Sequence, residues 1–169
     1  MSSDNIIFDQ AISAAQDSNA VWMALKVLSE AVAGHKLFTI MTVDNTAGLA
    51  RRAYTSHERD YPVSGTKPIH HDLWFDIVHG EKRSFVANTI DDISKVFPDF
   101  ELIASLGCGS VMNLPVVLQG ELVATVNMLD AEYHYTPERV AAAEALLAIP
   151  AKLCYALAAQ FNTRTGKPE

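Results

Sequence analysis

The side chains of this sequence that could do chemistry gather between Arg51 and Arg83, where Arg52, Arg59, Lys67 and Lys82 are interspersed with His57, His70, His71 and His79. Cations of this kind pair carboxylates or phosphates, and imidazoles exchange protons near neutral pH. Glu58, Asp60, Asp72, Asp76 and Glu81 share the stretch, so a solvated loop that neutralises itself is the competing reading. From Tyr54 to Pro68 the chain interleaves aromatics, hydroxyls and cations in a way that a mere connector does not need. If this segment closes over a pocket as a lid, Arg52 or Lys67 would hold an anion while Tyr54 or Tyr61 covers an apolar body.

His70-His71-Asp72 precedes a short helix, where free backbone amides and the positive end of the helix dipole converge beside two imidazoles. That arrangement suits a carboxylate or phosphate. Trp74 and Phe75 point to different sides of the helix, one to stack on a ligand and the other to anchor the helix to the core. Adjacent histidines seldom chelate one ion and no His lies at i, i+4, so neither a metal nor a cofactor is expected. Cys108, between Gly107 and Gly109, could approach a ligand closely, but no sequence neighbour supplies the cation that favours a thiolate. A small buried thiol is the simpler reading. Were the protein an enzyme, His57 or His70 would be its acid or base and an activated Cys108 its nucleophile.

The elements that must position these residues follow from periodicity. Phe8, Ala11, Ile12 and Ala15 have helical spacing, and a second apolar stripe runs through Val21, Leu25, Leu28 and Val32, with Asn19 as N-cap and Gly34 as terminator. Leu37 to Val43 and Leu49 to Tyr54 read as a hairpin around Asp44-Asn45-Thr46-Ala47-Gly48. Strand alternation lets only one of Arg51 and Arg52 face a pocket, and places Arg52 with Tyr54. Thr55 to His71 reads as a long loop, then a short helix spans about Asp72 to His79.

Ser110 to Leu118 and Glu121 to Leu129 form a hairpin turning at Gln119-Gly120. The simple register sets Met112 opposite Asn127 on one face and turns Asn113 away, unless a bulge near Pro115 exchanges the faces. Thr136-Pro137-Glu138 opens a last helix that runs to about Phe161, kinked at Pro150 and apolar on two faces, one of which can cover the sheet while the other meets a partner.

At 169 residues, 49% hydrophobic and 20% charged, the chain fits one domain over residues 1–161 with a polar tail over 162–169. A net charge of −7 without a basic stripe excludes nucleic acid as a partner. No apolar run approaches the roughly 18 residues of a membrane span, and no signal-peptide pattern opens the chain. A soluble, cytoplasmic protein with two reduced cysteines and no membrane partner is expected.

Val111-Met112-Asn113-Leu114-Pro115, Gln119-Gly120, Leu122-Val123-Ala124-Thr125-Val126 and Tyr135-Thr136-Pro137-Glu138 together resemble the GAF domain family. Ala124 stands where glycine is more usual. The resemblance implies an α+β fold with a GAF/PAS-like central antiparallel sheet, terminal helices on one face and a loop and short-helix pocket on the other. Family members bind diverse small molecules, so it implies a fold and not a ligand. Bilin-binding members attach the chromophore through a Cys usually followed by His, whereas Gly109 follows Cys108. Free-methionine sulfoxide reductases need a nucleophilic Cys and hairpin carboxylates, and the matching positions here hold Ala104, Val111, Asn127 and Leu129. The position of Asn127 lines the pocket in those reductases, which marks it as a ligand contact, beside the plainer reading of an Asn bonding a neighbouring backbone group.

The expected function is the binding or sensing of a small anionic metabolite, by a homodimer joined through the terminal helices or by way of a partner protein, because no output domain is apparent. An enzyme acting on a carboxylate-bearing metabolite and a structural dimerisation module are the alternatives.

Overall fold

Helices α1 (Ser3–Ala14) and α2 (Ser18–Val32) open the chain, each capped by a side chain: Ser2 accepts from the Asn5 amide and Asp17 from that of Ala20. Asp17 takes the capping role expected of Asn19, because its carboxylate reaches an otherwise unpartnered amide in the first turn. The computed structural model describes residues 2–63 and 65–166. Strands β1 (Leu37–Asp44), β2 (Leu49–Thr55), β3 (Thr66–Pro68), β4 (Phe85–Ala87), β5 (Ser110–Leu118) and β6 (Glu121–Asp130) form one antiparallel sheet in the order β3-β2-β1-β6-β5-β4. Strand β3 lies within the expected loop, and its Pro68 is tolerated because the strand is at the sheet edge.

Short helices α3 (Leu73–Phe75), α4 (Ile90–Ser94) and α5 (Phe100–Ser105), with a π-type turn over Asp76–Gly80, connect β3 to β5. Helix α6 (Pro137–Thr165) closes the chain. Thr136 caps it, Pro137 occupies its first turn, and it continues through Pro150 to a left-handed Gly166. Residues 162–165 are therefore helical, and 167–169 lie outside the described residues. Tyr135, in the aromatic-Thr pair before α6, is 1% exposed and donates its hydroxyl to the Gly34 carbonyl, fixing the start of α6 against the end of α2.

Each face of the sheet buries its own core. On the helical side Phe38, Ile40, Met112, Leu114, Val126 and Met128 meet Leu25, Leu28, Leu147 and Cys154. On the other, Leu37, Phe85, Val111, Leu122 and Leu129 of the sheet meet Val78, Ile93 and Ile103 from the connecting elements. An 18-residue window of α6 reaches mean hydropathy 1.6, so by length and composition alone this helix could cross a membrane, although Glu144 and Lys152 interrupt its apolar run. Part of that apolarity packs inward, through Ala143, Leu147, Ala151, Cys154 and Ala158.

Two bulges decide which side chains reach which face. Register shifts between Ile40 and Met41, so that Met41 pairs with Arg52 and Ile40 with Tyr54, leaving Ala53 as the extra residue. A second shift lies between Val116 and Val117 and pairs Asn113, not Met112, with Asn127.

Candidate functional site

The second face of the sheet floors a cavity of about 390 Å³. Strands supply its base: Thr39, Met41 and Val43 from β1, Arg52 from β2, Asn113 from β5, and Thr125 and Asn127 from β6. Lys67, His70, Asp72, Trp74 and His79 form one wall, and Val96, Phe97, Pro98, Asp99 and Ile103 form the opposite one.

A directed row of hydrogen bonds crosses the floor. Trp74 Nε1 donates to Asn113 Oδ1 at 2.9 Å, Asn113 Nδ2 to Asn127 Oδ1 at 2.7 Å, and Asn127 Nδ2 to Thr39 Oγ1 at 3.2 Å. All three floor residues are buried. Thr125 Oγ1 is also buried, and it has no hydrogen-bond partner among the described residues.

Tyr61 reaches the cavity from the segment between β2 and β3, and its hydroxyl donates to the Asp99 carboxylate. Burial, followed by that hydrogen bond, pushes the Tyr61 hydroxyl far above its ordinary range. Arg52 lies 3.8 Å from the Tyr61 ring centroid and donates from Nη1 to the Pro62 carbonyl at 2.8 Å. These contacts tie the segment down over the site.

The sequence candidates divide cleanly. Arg52, Tyr61, Lys67, His70, Trp74 and Asn127 line the cavity. Tyr54 does not, because the bulge at Ala53 turns it to the helical side, edge-on to Phe38. Met112 is likewise in the helical core, and Asn113 takes the place expected of it. His57 lies outside the lining and its Nδ1 bonds Ser56 Oγ at 2.8 Å. His71 and Phe75 lie outside the cavity lining, where His71 and His79 flank the ring of Phe75 at 4.0 and 4.4 Å between centroids.

Two chemical expectations also change. The carboxylate of Asp72 accepts from the Phe75 amide, so the helix start beside His70 already has its anion. Cys108 sits in the apolar cluster with Ile103 and Val111, outside the cavity lining, and burial pushes its thiol up to about 11. The glycine after it answers to packing: a Cβ on Gly109 would run into the Glu132 side chain. His79 was not singled out as a ligand residue, yet it lines the cavity and bonds Asn45 Oδ1 at 2.9 Å. Asn45 gives its Nδ2 to the Leu122 carbonyl, so its oxygen must accept from His79 Nε2. Burial, then the nearby Lys82, lowers the His79 pKa. Among the described residues no three His, Cys, Asp or Glu side chains converge as a metal site.

No family model and no curated protein matches the sequence. Solved structures do match the fold. The GAF domain of a two-component sensor histidine kinase from Bacillus halodurans superposes with TM-score 0.69 at 10% identity, covering 88% of this chain and 99% of that one. The GAF domain of a phosphoenolpyruvate-protein phosphotransferase from Coxiella burnetii gives 0.64 at 18% identity, covering 93% and 96%. Free methionine-R-sulfoxide reductase from Neisseria meningitidis, solved with its substrate, gives 0.62 at 14% identity, covering 93% and 90%. The chain is a GAF-fold domain.

Proposed function

We propose that this domain binds a small anionic metabolite, such as a carboxylate, and regulates a partner or its own dimer in response. The observation that carries the reading is the composition of the cavity: a polar row on the sheet faces a largely apolar wall, in a space sized for a small molecule. Such a lining gives a ligand one polar end and one apolar body. The sensor-protein GAF domain among the similar structures is consistent with a regulatory role.

The enzymatic alternative has less support. Its nucleophile, Cys108, is a protonated thiol outside the cavity, and His57 is outside it too, which leaves His70 without a chemical partner from that set.

Coupling to a partner would use the outer face of the helical layer. Leu146, Ile149 and Leu153 are 55%, 77% and 41% exposed on α6 although all are large and apolar. Pairing of two copies there would account for the second stripe of α6.

A thermal-shift screen of carboxylates, amino acids, aromatic acids and nucleotides tests the binding reading. A true ligand at roughly 100 times its Kd should stabilise the protein by about 2.7 kcal/mol. Asn127→Leu, which breaks the polar row, should abolish the shift. A screen without a hit, or a hit indifferent to Asn127→Leu, would contradict it.

A further inference from the structure

We propose that the ligand is anchored by a carboxylate group on neutral donors of the sheet, with Thr125 as the residue that selects it, while the cations of the lining play a lesser part. This deepens the binding reading above and rests on it.

Trp74 sets the direction of the row. An indole N–H only donates, so Asn113 must face it with Oδ1. Its Nδ2 then faces Asn127, which answers with Oδ1 and turns its own Nδ2 toward Thr39. The orientation of both amides is thus fixed from one end of the row. Each Nδ2 spends one hydrogen within the row and keeps a second, and Thr39, already accepting, keeps its hydroxyl hydrogen. What remains to be given along the floor is mainly N–H and O–H.

Thr125 adds to this. It stands on the same face of β6 as Asn127, and its cross-strand neighbours Met41 and Pro115 carry no side-chain donor or strong acceptor. Its hydroxyl, buried and without a partner among the described residues, costs folding free energy where it stands. A ligand oxygen in the cavity would answer it.

An acceptor-only group makes best use of such a floor. A carboxylate offers about four lone-pair sites and no hydrogen. An amide or alcohol of the same shape brings hydrogens of its own toward donors. The cations of the lining are less suited to the task. Burial disfavours the charged form of His79, Arg52 is engaged with Tyr61 and Pro62, and Lys67 is exposed on the edge strand, where solvent screens it. Phe97 and Ile103 on the opposite wall are left for the apolar body.

The test uses benzoate and hexanoate, each with its amide and alcohol counterpart, against wild type, Thr125→Val and Lys67→Ala, with affinities from NMR titration. Wild type should prefer both carboxylates. Thr125→Val should weaken them roughly ten- to a hundredfold, the effect of losing a hydrogen bond to a charged group, and narrow their advantage over the amide and the alcohol, with the donors of Asn113, Asn127 and Thr39 still in place. Lys67→Ala should retain the preference. In the absence of any probe, Thr125→Val should unfold at a higher urea midpoint than wild type, since a burdened hydroxyl has been removed. Carboxylate binding that survives Thr125→Val but not Lys67→Ala would overturn the proposal and leave the binding reading standing. A lower midpoint for Thr125→Val would also overturn it, by showing the hydroxyl to be satisfied. Failure of every probe to bind wild type would overturn the anionic-ligand reading itself, and this inference with it.

Discussion

Residue by residue, the site is governed by whether each polar atom has an answer. Tyr61 illustrates the consequence. Its hydroxyl, buried and given to Asp99, holds its proton to higher pH than in the unfolded chain, where it titrates near 10. The raised folded-state pKa means that its contribution to stability is complete below about pH 10 and is lost as pH climbs through the folded value. Urea unfolding followed between pH 8 and about 12 should show a steeper alkaline loss in wild type than in Tyr61→Phe. Equal slopes would mean that the Tyr61–Asp99 contact is not formed in solution. Asn127 was legible as a ligand candidate because it is a polar residue on a mostly apolar strand face, and Arg52 because strand alternation separates it from Arg51 at the edge of the basic stretch. Thr39 and Thr125 were not, since threonine is also an ordinary strand residue and its sequence neighbours give no sign of an unanswered hydroxyl.

Among the elements, turns were legible, the bulge between β5 and β6 was legible only as an alternative near Pro115, and the bulge between β1 and β2 was not legible at all. Gln119-Gly120 carries its geometry in its residue types, and both residues take the positive φ of a tight hairpin, 53° and 78°. The shift at Ile40/Met41 depends on how β1 sits between β2 and β6, which no local pattern records. One extra residue there separates Arg52 from Tyr54, and another shift exchanges Met112 for Asn113. Helix α6 was legible in its two stripes, and its outer stripe makes a prediction. If copies pair through Leu146, Ile149 and Leu153, Ile149→Glu should convert a dimer to a monomer in sedimentation velocity without altering the unfolding midpoint of the monomer. A wild-type protein that is monomeric at high concentration would remove this face from the account.

Over the whole molecule, the sheet separates two tasks. One face is packed by α2 and α6 into an apolar core, and the other is left polar enough to hold a ligand under a tethered segment. A signal from the cavity to the outer surface of α6 would have to pass through β1, β5 and β6, whose residues alternate between the two faces. The central claim is that the polar floor is where a ligand binds. The most direct measurement follows the Trp74 indole and the Asn113 and Asn127 side-chain amide signals by NMR during titration with benzoate or hexanoate. Saturable movement of all three is the result predicted here. Signals that stay in place while those of Lys67 and His70 move, or a titration in which nothing moves, would contradict it.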